Sequence, residues 1–146
     1  MIHITVAAVI ETDKKFLMVE EHCSGQLVIN QPAGHLEPGE TIVEATIRET
    51  LEETRWTFSP EFLVGIYRWQ NPQTAETYIR IALAGQAADP DSSLSLDDGI
   101  VRALWLSLDE IKQQEARLRT PLVMKCINDY LSGAHYPLDL LRDTLD

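Results

Sequence analysis

The chain has 146 residues, of which 45% are hydrophobic and 24% charged, and its formal net charge is −11. This composition is ordinary for a globular domain, and the length is sufficient for one sizeable core. With no basic cluster beyond Lys14-Lys15, the acidic balance excludes nonspecific nucleic-acid binding, and no apolar run approaches the length of a membrane span. Two cysteines, Cys23 and Cys126, are too few for a disulfide framework.

The first third of the chain predicts strands joined by tight turns. Residues 2–10 and 15–20 are rich in β-branched and apolar side chains and flank a polar turn, which is the pattern of a hairpin. A short strand at 27–30 then leads into a loop at 30–35. The N-terminal segment lacks the basic start and apolar run of a signal peptide, so we expect a cytoplasmic protein.

A helix is predicted after the Pro38-Gly39 turn. Thr41, followed three residues later by Glu44, forms a capping box. At 3.6 residues per turn, the helix presents two faces. We expect one face to pack on the core and the other to be acidic; their members are Val43, Ile47, Thr50, Leu51 and Thr54 on the first face and Glu49, Glu52 and Glu53 on the second.

The acidic face crowds three carboxylates into a single turn at Glu49, Glu52 and Glu53. Like charges at these spacings repel, and carboxylates in a last turn also meet the negative end of the helix dipole, each at roughly 0.3 to 1 kcal/mol when exposed. A sequence selected for folding alone would place lysine there. The arrangement therefore indicates a bound cation.

The second half of the chain predicts more strands and two helices. Residues 61–69 and 75–84 alternate around a turn and indicate a second long hairpin, and residues 101–106 form a further strand. Ser107 opens one helix, and Thr120-Pro121 opens another. A mixed sheet with flanking helices, of the α+β class, is the expected fold.

The spacing of residues through the loop and the acidic helix resembles the signature of the Nudix hydrolases, which cleave a nucleoside diphosphate or another diphosphate linked to a group X. Six positions carry the resemblance: Gly34, Glu40, Arg48, Glu49, Glu52 and Glu53. Thr50 stands where the family has an aliphatic residue, and Arg55 stands where it has a glycine. The resemblance implies an α/β/α sandwich, with one Nudix domain spanning residues 1–146.

The resemblance also implies roles for the motif residues. The three glutamates Glu49, Glu52 and Glu53 would bind a divalent metal, Mg²⁺ or alternatively Mn²⁺. Arg48 would orient the glutamate beside it, and Glu40 would support the site from behind. Either Glu52 or Glu49 would serve as the general base for the attacking water.

Further metal ligands are expected outside the helix. The family often uses a main-chain carbonyl, here near Ala33 or Gly34. Related proteins also commonly place an extra acid before the strand predicted at 101–106, where this chain has Asp97 and Asp98. Turn formation is the alternative interpretation of these aspartates. We select Asp98 as the candidate ligand.

Four residues are candidate substrate contacts. His35 lies beside the catalytic loop and either binds phosphate or makes structural hydrogen bonds. Arg80 has apolar neighbours, so its charge reaches the cleft or pairs with an acid. Arg119 precedes a helix and has either a structural or a binding role. Trp69 is a candidate for stacking on a ring.

A finer resemblance, to the NudJ branch of Nudix phosphatases, covers most of the chain and depends on residues 31–40, 119–123 and 136–138. It implies release of orthophosphate from nucleoside di- and triphosphates and from thiamine or hydroxymethylpyrimidine diphosphate. One alternative is a pyrophosphatase for nucleotide sugars or ADP-ribose, and another is a non-catalytic ligand-sensing module. The expected partner is a small-molecule diphosphate or nucleotide, and the protein is expected to be a monomer or weak dimer.

Overall fold

The computed structural model describes residues 1–144. Seven strands, three α-helices and two short 3-10 helices make up these residues. In chain order they are β1 (Ile2–Thr12), β2 (Lys15–Cys23), β3 (Gln26–Asn30), β4 (Ala33–His35), α1 (Ile42–Thr54), β5 (Thr57–Gln70), β6 (Thr77–Ala88), β7 (Ile100–Ser107), α2 (Leu108–Gln113), a 3-10 turn (Glu115–Arg117), α3 (Leu122–Leu131) and a 3-10 turn (Leu138–Leu140). Within this described part, no helix is both long and apolar enough to cross a membrane.

Strand β1 lies at the centre of a mixed sheet. It runs parallel to β6 and antiparallel to β4, and β6 pairs with β5 in the second predicted hairpin. Strand β2 lies between β3 and β7, and both pairings are antiparallel. The sequence predicted this mixed sheet with flanking helices correctly.

The first hairpin forms only at its tip. Glu11 pairs with Phe16 and Thr12 with Lys15, after which β1 and β2 separate. They separate because β4 occupies the edge of β1 that a continuous hairpin would need. Residues 33–35, which the sequence analysis assigned to a loop, are therefore a short strand.

Apolar side chains alternate between the two faces of the sheet, as expected for strands buried on both sides. On one face, Val9 and Ala82 pack with Val123 and Ile127 of α3. On the other face, a second cluster packs against α1; its members include Ala8, Ile10, Ile81, Leu83, Ile42, Val43 and Ile47. The helices thus cover both faces, which gives the α/β/α sandwich.

The first turn of α1 agrees with the prediction, and its last turn ends at Arg55, which stands where the family has a glycine. Thr41 and Glu44 form the reciprocal capping box, and Arg55 closes the helix in the left-handed region at φ 69°. A non-glycine residue in that region costs about 1 kcal/mol. The bond from the Arg55 amide to the carbonyl of Leu51 completes the cap.

The predicted core face of α1 is confirmed by the burial of Thr50 and Thr54 and by the packing of Val43 and Ile47 on the second cluster, but the prediction that all three glutamates lie on the opposite face is wrong. The fully buried positions are Ala45, Thr46, Glu49, Thr50, Glu53 and Thr54, whereas Val43, Ile47 and Leu51 are only partly buried. The buried threonines are tolerated because their hydroxyls donate to main-chain carbonyls one turn earlier. Two of the three glutamates therefore face inward, toward β4.

Candidate metal and substrate site

Arg48 organises the carboxylates of the motif. Its Nε and Nη2 donate to the two oxygens of Glu40 at 2.9 and 2.8 Å, and its Nη1 donates to Glu49 Oε1 at 2.7 Å and Glu52 Oε2 at 3.2 Å. Nη2 also donates to the carbonyl of His35 at 3.1 Å. The bidentate bond holds the pKa of Glu40 below its usual value. Arg48 is thus fixed from one side and orients two acids on the other.

Three carboxylates converge beside this arginine. Oxygen atoms of Glu49, Glu52 and Asp97 all lie within 4.8 Å of one another. Burial is the main reason that the pKa values of Glu49 and Glu52 are raised, and the charge of Asp97 raises both further. The amide of Asp97 donates to the carbonyl of Glu52 at 3.1 Å, which brings this loop to the end of α1. Asp98, our candidate from sequence, is not in this group, whereas its neighbour Asp97 is.

Glu53 has a different environment from the other two glutamates. It is 7% exposed, and its Oε1 accepts a hydrogen bond of 2.9 Å from the amide of Ala33. Burial raises its pKa to about 9 despite this bond. Glu53 therefore ties α1 to β4 through one oxygen, and it is not a member of the three-acid group.

Gly34 lets α1 approach β4. A Cβ built on this residue would overlap the carboxyl group of Glu49. Because the overlapped atoms belong to one of the clustered acids, any side chain here must displace a carboxylate from the group.

We expect Gly34→Ala to lower kcat/KM for hydrolysis by about 10-fold or more, since ligand misplacement is costly even when the fold is kept. If the acids bind a divalent metal, the metal concentration needed for half-maximal activity should rise as well. Activity of Gly34→Ala equal to that of wild type across a titration with divalent metal would contradict the packing of Gly34 against Glu49. Circular dichroism and thermal unfolding check that the variant is folded.

A cavity of about 390 Å³ adjoins the acids. Ala33 and Gly34 both line this cavity; Ala33 is bonded to Glu53, and Gly34 packs against Glu49. All four candidate substrate contacts line this cavity: His35, Trp69, Arg80 and Arg119. The sequence analysis proposed them separately, and the fold brings them together.

Arg80 reaches the cavity instead of pairing with an acid. It is 5% exposed, and its Nη1 and Nη2 donate to Gln31 Oε1 at 2.8 Å and Asn30 Oδ1 at 3.1 Å. Gln31 is fixed in turn by a 2.7 Å bond from its Nε2 to the carbonyl of Val123. Burial lowers the pKa of Arg80 below its ordinary value.

The aromatic wall of the cavity includes Trp69 and Tyr78, whose ring centroids lie 5.8 Å apart. His3 stacks on Tyr78 at 4.6 Å, and its Nδ1 lies 3.0 Å from Nε2 of His35. Burial and the nearby His3 lower the pKa of His35. Of the two alternatives for His35, the structure shows a hydrogen bond to another side chain, at the edge of the cavity.

Arg119 is held in the cavity wall by the buried carboxylate of Glu21, and its amide donates to the carbonyl of Ile29 at 2.9 Å. The sequence analysis did not select Glu21, Asn30 or Gln31. The only available signal was that these polar residues lie in or directly after apolar strands, where a buried polar group needs a partner.

Comparison with known proteins agrees with this geometry. The model of the NUDIX domain matches residues 1–125. The phosphatase NudJ of Escherichia coli strain K12 is 39% identical over 141 residues, which cover 97% of this chain and 91% of that protein. The match to the family model and the relationship to NudJ show that the chain belongs to the Nudix family and is a hydrolase.

Solved structures give the same result. A NUDIX hydrolase from Nitrosomonas europaea superposes with a TM-score of 0.96 at 52% identity, covering 99% of this chain and 98% of its own. A bifunctional NMN adenylyltransferase/ADP ribose pyrophosphatase from Francisella tularensis, solved with AMP and a Mn ion, gives 0.68 at 22% identity, covering 92% of this chain and 42% of its own. This second likeness shows the fold alone.

Proposed function

We propose that the protein is a Mg²⁺-dependent phosphatase that releases orthophosphate from nucleoside di- and triphosphates and from small organic diphosphates such as thiamine or hydroxymethylpyrimidine diphosphate. The observation that carries the proposal is the group formed by Glu49, Glu52 and Asp97 beside a cavity large enough for an organic group. The relationship to the phosphatase NudJ supports the choice of reaction.

The acids fit a hard divalent ion. Every donor in the group is a carboxylate oxygen, the ligand type that Mg²⁺ and Mn²⁺ prefer. We propose Glu49, Glu52 and Asp97 as ligands, with the second oxygen of Glu53 and a main-chain carbonyl at Ala33 or Gly34 completing the set. A divalent ion bound there supplies an activated water and neutralises charge on the phosphoryl oxygens.

The protein's own residues position and activate this reaction. Arg48 keeps the carboxylates of Glu49 and Glu52 in place, and Glu40 fixes Arg48. The side chain of Glu52 is 38% exposed, so it is the carboxylate best placed to accept a proton from the attacking water. Glu49, which is largely buried, is the alternative base.

The cavity would hold the organic group of the substrate. Trp69 and Tyr78 offer ring faces for stacking on a heteroaromatic ring, while His35, Arg80 and Arg119 offer donors to the polar atoms of the organic group and to the phosphate attached to it. The direct link between cavity and acids through β4 supports a substrate whose organic group lies in the cavity and whose scissile anhydride lies at the acids. We propose that one domain spanning residues 1–146 carries both parts.

A product assay tests the reaction. We expect the protein to release orthophosphate from thiamine diphosphate, UDP and UTP in the presence of Mg²⁺. EDTA should abolish this activity, and added Mg²⁺ or Mn²⁺ should restore it. If the protein instead cleaves ADP-ribose to two monophosphates and releases no orthophosphate from the other compounds, it is the nucleotide-sugar or ADP-ribose pyrophosphatase. Absence of turnover on the whole panel, with ligand binding retained, would favour a sensing module.

Three further properties belong to this proposal. We propose a cytoplasmic protein whose partners are small-molecule diphosphates or nucleotides, and which is a monomer or weak dimer. Its net charge of −11 supports the absence of a nucleic-acid partner, because phosphate backbones attract basic surfaces.

A further inference from the structure

Arg80 carries a buried positive charge that lacks a counter-ion within residues 1–144. No carboxylate oxygen of the described chain lies within 4.0 Å of its guanidinium, and its Nε has no hydrogen-bond partner there. The two bonds that it makes are to amide oxygens, which carry only partial charge. Burying an ionised group without a counter-ion costs several kcal/mol, so such a charge is retained where a ligand uses it.

The guanidinium is held in a fixed position. Asn30 is 3% exposed and Gln31 is 1% exposed, and each directs an oxygen at Arg80. Gln31 is anchored to Val123 in the first turn of α3. Neighbouring strands cover the remaining sides, with Thr5 of β1 and Tyr67 of β5 opposite Arg80 in register. The side chain therefore cannot swing to the surface to reach solvent counter-ions.

The second arginine of the cavity does not supply a comparable charge. Arg119 forms an ion pair with Glu21, which is itself buried, so the two charges largely cancel. Arg80 and Asn30 line the same cavity as Arg119 and as Ala33 and Gly34, the residues that also touch the acids. The unneutralised charge thus belongs to the cavity that adjoins the proposed metal site.

We propose that Arg80 binds an anionic oxygen of the substrate other than those on the departing phosphoryl group, namely the phosphate that remains on the organic product. This inference depends on the proposed phosphatase function, in which the product keeps at least one phosphate. It makes Arg80 a specificity-determining residue, because a substrate with one phosphoryl group cannot bind at the acidic site and contact Arg80 at the same time. Diphosphates and triphosphates can make both contacts.

Binding to the metal-free protein isolates this contact. In EDTA the clustered acids repel phosphate, so binding of uridine 5′-monophosphate reports the cavity and not the metal site. We expect wild type to bind the monophosphate more tightly than uridine in isothermal titration calorimetry. Arg80→Met should weaken monophosphate binding by about 10- to 100-fold, the range for a charge-assisted bond, and leave uridine binding unchanged.

The matched control is Arg68→Met, which removes an exposed arginine on β5 and should leave both affinities unchanged. Arg80→Lys keeps the positive charge but lacks the planar guanidinium group with its paired donors, so it should give an intermediate loss of affinity for the monophosphate. Thermal unfolding checks each variant. If Arg80→Met does not fold, the lysine variant carries the test through the same pair of ligands.

Three results would overturn the inference. Wild type could bind uridine and its monophosphate with equal affinity, the substitutions could weaken the binding of both ligands equally, or the folded variants could bind the monophosphate as tightly as wild type. Any of these leaves the proposed phosphatase function standing if wild type still releases orthophosphate from UDP. Conversely, failure of wild type to release orthophosphate from UDP refutes the function independently of Arg80.

Discussion

Glu52→Gln should lower kcat for hydrolysis by about 100-fold or more, the range expected when a general base or a charged metal ligand is lost. The substitution removes one negative charge from the group formed with Glu49 and Asp97, and it leaves the shape of the side chain almost unchanged. Without metal the variant should be as stable as wild type or slightly more stable, because like-charge repulsion falls. Initial rates at saturating Mg²⁺ and thermal unfolding in EDTA measure the two effects.

Glu44→Gln is the matched control on the same helix. Glutamine preserves the capping box with Thr41, and Glu44 is exposed and outside the three-acid group. Its activity should equal that of wild type. If Glu52→Gln were fully active, or if both variants lost activity equally, the acidic group would not be the reaction centre.

The sequence was sufficient for those features of the site that depend on local spacing. The capping box and the clustering of Glu49 with Glu52 both follow from positions along one helix. The strand pattern also predicted the β5–β6 hairpin, since alternation is a local property.

Features that depend on tertiary packing were not predictable in the same way. Asp97 and Asp98 are adjacent in a turn, and it is Asp97, whose amide donates to the Glu52 carbonyl, that meets the other acids. The inward position of Glu53 likewise depends on the amide of Ala33, which β4 supplies. A helical wheel of α1 could not predict these contacts, because Asp97 and Ala33 lie outside the helix.

The cavity shows the same limit at longer range. The sequence placed Arg80 in an apolar strand and left two alternatives, a cleft or an acidic partner. Its actual partners, Asn30 and Gln31, are about 50 residues away in sequence and come from the end of β3 and the residue after it. Such pairings depend on strand order, which the parallel β1–β6 pairing sets.

The buried carboxyl of Glu53 makes the stability of the metal-free protein depend on pH. Burial raises its folded-state pKa to about 9 from a reference value of 4.5. Between these values the folded protein holds a proton that the unfolded chain has released. The free energy of unfolding therefore falls as pH rises through this window, with a slope from this one group approaching about 1.4 kcal/mol per pH unit.

Glu53→Gln should remove most of that slope. Glutamine stays neutral at every pH and can still accept the bond from the Ala33 amide through its side-chain oxygen. In EDTA, we expect the melting temperature of wild type to fall markedly from pH 6 to pH 8, while that of the variant falls less. From pH 6 to pH 8, two units at about 1.4 kcal/mol each, wild type should lose about 3 kcal/mol more than the variant.

A divalent metal bound at the proposed site should reverse the sign of this effect, since carboxylate ligands must be deprotonated to bind and metal affinity therefore rises with pH. With saturating Mg²⁺, wild type should regain stability at pH 8, and Glu53→Gln should gain less if the second oxygen of Glu53 is a ligand. Parallel pH profiles for the two proteins in EDTA would mean that Glu53 is ionised in the folded state. The charge on this buried acid would then be balanced by a contact other than the Ala33 amide.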